Sequence, residues 1–403
     1  MTGQKSNSIL PQGFSFGATH CGIRKKRADL GVIVADGTVS AAGIFTTNRV
    51  KAAPVLLTRR HLGASKGRAR AVVVNSGNAN CVTGPAGLAA SRRTATALAR
   101  ELGCPPKEIL VCSTGVIGVP LNAERIVGAL PVLTAGRTAR REAFDRFAEA
   151  ILTTDTRSKQ SYASCRIGGK TVRLAGCAKG AGMIHPQMAT MLAFLVTDAA
   201  ASPSLLGGML RQVADRTFNA ITVDGDTSTN DTVLLLASGA SGAPMLRPGS
   251  DGERRFAETL EKVCRKLALD IVADGEGARH VVEVEVRGAP SDRAARRVAE
   301  TIATSPLVKT ALAGADPNWG RILAAAGRAG VPFDPARARV WVVGRLVCRG
   351  GVPTPFDEAE LHGRMLEREI GLAIDLGAGD GRARMWTCDF TAEYVRINAS
   401  YRT

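Results

Sequence analysis

The chain has 403 residues, 45% of them hydrophobic but only 4% aromatic, with 44 glycines, so its core must be closely packed Ala, Val, Leu and Ile in two or three domains of roughly 150 residues. No apolar run approaches the roughly 20 residues that cross a bilayer, and the N-terminal MTGQKSNSILPQG has no apolar signal core. A cytoplasmic protein with no membrane partner is therefore expected.

The net charge of +17 would suit a nucleic-acid binder. The basic residues are spread along the chain, however. The densest groups, Arg24, Lys25, Lys26, Arg27 and Arg137, Arg140, Arg141, are not interleaved with aromatics, and no zinc-finger or RNP pattern accompanies them. The expectation is a solvated basic surface that attracts anionic metabolites, with no nucleic-acid partner. The nine scattered cysteines form no C-x-x-C pair, which speaks against a zinc site or a disulfide framework and for buried reduced thiols.

In chain order, GVIVA (31–35), PVLLT (54–58), RAVVVNSG (70–77) and ILVCSTG (109–115) read as strands. GLAASRRTATALARELG (87–103) reads as a helix with Leu88, Ala95 and Leu98 on one side. MLAFLVTD (191–198) is a wholly apolar strand that expects cover on both faces. SPSLLGGMLRQVADRTF (202–218) is a helix capped by Ser202, with Pro203 in its first turn. TVLLLASG (232–239) is a second buried strand, GAPMLRPGSDG (242–252) a loop, and 253–274 a helix. In HVVEVEVRG (280–288), Val282, Val284 and Val286 alternate with Glu283, Glu285 and Arg287, giving one wet face. The charged RGAPSDRAARR (287–297) suggests a seam, and AEYVRIN (392–398) reads as strand-like. This is α/β material with helices over sheets, divided as 1–285 and a smaller 286–403.

Three stretches carry candidate chemistry. KGAGMIHPQMATMLAF (179–194) runs from a Gly-rich turn into a buried strand. Thr190, at the mouth of that strand after the small Ala189, is either an ordinary strand residue or an autoprocessing nucleophile. In the second case its hydroxyl attacks the Ala189 carbonyl, and hydrolysis of the ester frees the Thr190 α-amine, which then serves as base to the hydroxyl of the same residue. In ILVCSTGVIG (109–118), Thr114 and the following turn amides suit an oxyanion, or form an ordinary strand end. NSGNAN (75–80) is equally ambiguous. Lys179 and Glu276 by themselves read as solvated charges; His185, alone of the five histidines near a candidate site, is equally a satisfied loop residue. No Ser-His-Asp pattern occurs.

Taken together, AAGIFTTNRVKAAPV, VVNSGNANCVTGPAG, CSTGVIG, TTDTRSK, KGAGMIHPQMATMLAF, VDGDTSTNDT, ADGEGA, SPLVKTAL, DPNWGRI and YVRINASYRT resemble the ornithine acetyltransferase family, also called bifunctional glutamate N-acetyltransferases, over essentially the whole chain. The resemblance implies a layered α/β sandwich with a smaller C-terminal α/β domain. It also implies self-cleavage between Ala189 and Thr190 into chains 1–189 and 190–403 that assemble as α2β2. Thr190 matches the nucleophile, Thr114 and Gly115 the oxyanion hole, and Thr153, Lys179, Thr190, Glu276, Asn398 and Thr403 the substrate-binding positions. The implied reaction moves acetyl from N-acetylornithine to glutamate by a ping-pong route, without metal or organic cofactor; acetyl-CoA stays open as a second donor. His185, Gln187, Cys81-Val82 and Ser400 depart from the family pattern, and His185 and Ser400 bear on substrate preference. Two other classes stand beside this one: an N-terminal-nucleophile peptidase, and a basic binding protein that never cleaves.

Overall fold

The computed structural model describes residues 9–185 and 191–400. Its described strands are β1 (Phe14–Thr19), β2 (Leu30–Phe45), β3 (Arg68–Asn78), β4 (Ile109–Val116), β5 (Lys159–Ile167), β6 (Lys170–Lys179), β7 (Leu192–Thr197), β8 (Thr232–Ala237), β9 (Val281–Ala289), β10 (Arg339–Val342), β11 (Arg345–Arg349), β12 (Val352–Pro353), β13 (Glu369–Asp375) and β14 (Gly381–Cys388). The helices are α1 (Ala53–Ala64), α2 (Gly84–Leu102), α3 (Ala123–Ala135), α4 (Arg141–Ala150), α5 (Pro203–Arg216), α6 (Asp251–Ala273), α7 (Asp292–Ala303), α8 (Pro306–Ala313), α9 (Trp319–Gly327), α10 (Glu358–Met365) and α11 (Ala392–Ser400).

The first eight strands form one mixed sheet, ordered β4-β3-β2-β8-β7-β6-β5, with β1 added to β2. β7 and β8 lie side by side in its middle, parallel to each other. This central place explains their unbroken apolar runs: alternate residues enter different cores. Ala193, Leu195, Val233 and Leu235 pack with Leu206 and Leu210 of α5 and Leu260 and Leu267 of α6. Phe194, Val196, Leu234 and Leu236 pack with Phe144 and Phe147 of α4. Near the other edge, Val32, Val73 and Val111 meet Leu57 of α1, Leu98 of α2 and Ile126 and Leu130 of α3.

The second sheet, ordered β12-β11-β10-β13-β9-β14, shares a core with α7 to α10 through Val284, Val298, Ile302, Val308, Ile322 and Leu361. The two sheets meet where Ile221 bridges Trp386. This is the layered α/β sandwich expected. The division at 285/286 falls inside β9, whose pairing with β13 and β14 already begins at Val281; the change of sheet therefore precedes that strand.

Most local expectations hold. Ser202 accepts from the Leu205 amide at the start of α5, with Pro203 in the first turn. α2 ends on left-handed Gly103. In β9, Val282, Val284 and Val286 are buried, Glu283 and Glu285 half-buried and Arg287 exposed. All nine cysteines are free thiols, six of them buried. Two runs are corrected. PVLLT lies in α1, where Val55 and Leu57 are buried and Leu56 is 47% exposed, and AEYVRIN lies in α11. Short apolar runs fit a helix face as well as a strand, and periodicity does not separate them. The seam at 287–297 is the end of β9 and the start of α7.

Candidate active site

The central strands end in one row. Lys179, last in β6, is opposite Leu192, first in β7; Leu192 is opposite Thr232 of β8, which is opposite Phe45 of β2. Above this row lies a pocket of about 220 Å³ lined by Thr114, Gly115, Thr153, Lys179, Glu276 and Asn398, together with Asp224, Asp226, Asn230 and Tyr394. Six expected site residues, up to 284 positions apart, thus share one cavity. Ala189, Thr190 and Thr403, and with them the expected cleavage junction, lie outside the described residues, as does Gln187.

The chain adjoining the junction is firmly held. The Met191 amide donates to Asp231 Oδ1 at 2.9 Å, and its carbonyl accepts from the Thr232 amide. Asp231 is fully buried, and its Oδ2 has no hydrogen-bond partner among the described residues. Burial, opposed only in part by the Met191 amide and the Lys179 charge, pushes its carboxyl well above the usual range.

Thr114 and Gly115 sit where β4 leaves regular pairing with β3: Asn78 faces both Thr114 and Val116. Gly77 and Gly115 both have positive φ, +93° and +129°, and a Cβ on Gly115 would lie 2.3 Å from the Gly77 carbonyl carbon. Only glycine permits this approach, an irregularity of the kind that re-aims groups beside active sites. The Thr114 hydroxyl makes no hydrogen bond among the described residues, and it borders the pocket. NSGNAN proves to be scaffold for this bend. Asn75 holds the Asn78 carbonyl and accepts from Ser113, and Asn78 holds the Val119 carbonyl. Asn230 ties the Ala79 and Ser113 carbonyls together from the far side.

Charge divides the pocket. Lys179 is 3% exposed, not a solvated cation, and forms no hydrogen bond or ion pair among the described residues. Burial lowers its pKa, while the carboxylates of Asp155, Glu276 and Asp231 work against that fall. Opposing it are Glu276, half-buried and accepting from Asn398 at 2.8 Å, exposed Asp226, and Asp224, which accepts from the Met183 and Ile184 amides and from Tyr394. Asn398 reaches the site because α11 packs over Gly277, where a Cβ would lie 2.6 Å from the Tyr394 amide nitrogen. His185 faces Glu300 at 3.1 Å and does not line this pocket. Sequence reasoning missed Asp155, Asp224, Asp231 and Tyr394; TTDTRSK and VDGDTSTNDT marked the stretches that hold the three aspartates, but no spacing said where they would point.

Among the described residues no cluster of His, Cys, Asp and Glu suits a metal ion, and no helix is long and apolar enough to cross a membrane. A buried cation at one end, carboxylates at the other and a hydroxyl beside a glycine bend between them suit a small zwitterion or amino-acid derivative. The volume lies below the roughly 300–1,000 Å³ of pockets for larger ligands.

Comparison with known proteins agrees. The ArgJ family profile matches residues 15–403. The arginine biosynthesis bifunctional protein ArgJ of Geobacter sulfurreducens is 49% identical, over 97% of this chain and 99% of that protein. The protein of the same name from Thermotoga neapolitana is 45% identical, over 98% and 100%. The crystal structure of arginine biosynthesis bifunctional protein ArgJ from Bacillus halodurans has 41% identity and a TM-score of 0.50, and covers 52% of this chain and 98% of its own. With the profile and these identities running nearly end to end, the chain belongs to the ArgJ family.

Proposed function

We propose that this protein is a self-processing acetyltransferase of arginine biosynthesis that moves acetyl from N-acetylornithine to glutamate through an acetyl ester on Thr190. The observation that carries this reading is the gathering of Thr114, Gly115, Thr153, Lys179, Glu276 and Asn398 around one amino-acid-sized pocket, in a chain matched along its length by proteins named for arginine biosynthesis.

In processing, Thr190 Oγ attacks the Ala189 carbonyl, the 189–190 C–N bond breaks, and water hydrolyses the resulting ester to leave the Ala189 carboxylate and the Thr190 amine. The Bacillus halodurans chain supports this step, since it spans 52% of 403 residues, about 210, close to the length of 190–403.

In transfer, the freed amine takes the proton of Thr190 Oγ, which attacks the acetyl carbonyl. The Thr114 hydroxyl and the Gly115 amide receive the oxyanion. Collapse expels ornithine, whose amine leaves with the proton; the glutamate amine then attacks the ester and regenerates Thr190. Lys179 and Thr153 hold the substrate carboxylate, and Glu276 opposes the ornithine side-chain ammonium, with Asn398 and Thr403 completing the site. No metal or organic cofactor takes part. The enzyme works in the cytoplasm as α2β2.

The test is purified protein with N-acetylornithine and glutamate, with acetyl-CoA supplied separately as an alternative donor. Two fragments on a denaturing gel, N-acetylglutamate formation, and one acetyl group on the 190–403 fragment when glutamate is omitted are expected. Thr190→Ala should remain one uncut, inactive chain. A wild-type chain that stays whole, or transfer without an acetylated fragment, would refute the mechanism.

A further inference from the structure

Beneath the pocket floor lies a buried set of four charges: Asp155, Lys159, Asp274 and Lys179. Lys159, with no side-chain exposure, bonds Asp155 Oδ1 at 2.7 Å and Asp274 Oδ2 at 2.6 Å. Asp274 is held in turn by the Thr156 amide and hydroxyl. Asp155 also reaches upward into both walls of the site. Its Oδ1 accepts from the Gly180 amide at 2.6 Å, and its Oδ2 accepts from the Thr153 amide at 2.9 Å and hydroxyl at 3.5 Å. Four donors fill the roughly four acceptor positions of an ionised carboxylate. None of them is Lys179, whose three N–H donors are left facing the cavity with no partner among the described residues.

We propose that Asp155 is a positioning residue for acetyl transfer, fixing Thr153 against the Lys179–Gly180 turn so that these two walls close on the substrate carboxylate. The assignment rests on the function proposed above. Two observations distinguish it from ordinary core glue. Its hydrogen bonds run to Thr153 and to Gly180, the neighbour of Lys179, rather than within one element, 25 residues separating Asp155 from Gly180. And its charge completes a neutral set, two carboxylates against two ammoniums. Burial opposes ionisation of Asp155, yet the ammoniums of Lys179 and Lys159 outweigh it and hold the carboxyl well below the usual range. Loss of that charge leaves Lys159 and Lys179 with one carboxylate of the set, Asp274 on Lys159, away from water, where like charges repel strongly.

The charged groups around Lys179 are Asp155, Glu276 and Asp231, which favour its ammonium, and Lys159, which disfavours it together with burial. Without Asp155 the Lys179 ammonium gives up its proton at lower pH, and the site loses its carboxylate partner.

The experiment uses the self-processed enzyme, processing on a gel serving as the check that each variant folds. Asp155→Asn should raise the KM for N-acetylornithine at pH 8 on the order of 10–100-fold, the worth of a charged hydrogen bond, with kcat changed much less, and the defect should shrink as pH is lowered to 6. Asp155→Asn/Lys159→Gln, which removes the like charge of Lys159 and leaves Glu276 and Asp231 beside Lys179, should regain much of the lost affinity. A processed Asp155→Asn enzyme with wild-type KM would overturn the proposal, as would a loss that neither lower pH nor the second substitution relieves, which is the pattern of mere structural damage. If the single variant does not process, the double variant carries the test: a KM defect that shrinks at low pH supports the proposal, and a pH-independent one overturns it. Wild-type enzyme that transfers no acetyl defeats the functional reading; wild-type activity matched by Asp155→Asn defeats this inference alone.

Discussion

Gly182 offers a way to move one proposed substrate contact, Glu276, while leaving the fold alone. A methyl group there would lie 2.5 Å from Glu276 Oε2, 2.6 Å from its Cδ and 2.7 Å from its Oε1, whereas ordinary contact begins near 3.4 Å. In Gly182→Ala the Glu276 carboxylate must therefore retreat by about 0.9 Å, the difference of those distances. Only the end of a flexible side chain moves, and the Asn398 hydrogen bond goes with it. Stability should hardly change, since Gly→Ala at a compatible backbone even gains about 0.4–1 kcal/mol through the unfolded state. Recognition should change more. An ammonium–carboxylate hydrogen bond of about 2.7–2.9 Å, stretched by that much, is no longer a hydrogen bond, at a cost of about 1.5–3 kcal/mol. Steady-state kinetics should show KM for N-acetylornithine raised on the order of 10–100-fold, with processing and melting temperature close to wild type. An unchanged KM in a fully processed variant would remove Glu276 from ornithine recognition.

Three further outcomes are expected. Gly115→Ala brings a Cβ against the Gly77 backbone, which cannot swing aside; processing and kcat should both fall by about 10²–10³, as for loss of an oxyanion donor, and normal turnover in a cleaved variant would place the oxyanion elsewhere. Asp231→Asn tests a carboxyl whose folded pKa is raised: the unfolded chain ionises first, so Asp231 removes stability as pH climbs above about 3.9. By calorimetry the variant should match wild type near pH 4 and equal or exceed its melting temperature at pH 8; a large loss at pH 8 would mean the carboxylate is ionised and needed. Deleting residues 399–403 should leave cleavage intact and lower kcat/KM for transfer, because Asn398 and the end of α11 border the pocket; equal kcat/KM values would make the tail mere padding.

Much of the architecture was local and therefore legible. The apolar runs of β7 and β8 announce central strands because both of their faces are covered, and Ser202 with Pro203 marks the start of α5 because a capped helix end satisfies its orphan amides nearby in sequence. The motif at 179–194 and the STG turn pointed to Lys179, Thr114 and Gly115 through family resemblance, and these three border one pocket, while Thr190 lies outside the described residues. PVLLT and AEYVRIN went astray because a run of that length serves a helix or a strand, and only the surface it meets decides which. The tertiary structure alone decided the electrostatics. Lys179 and Glu276 looked alike as surface charges, yet one is buried at a strand end with no partner among the described residues and the other is half-buried and bonded to Asn398. Asp155 and Lys159 meet Asp274, 115 residues beyond Lys159; such a set has no local signature, because the energy of a buried charge depends on distances in space that the order of residues along the chain does not contain.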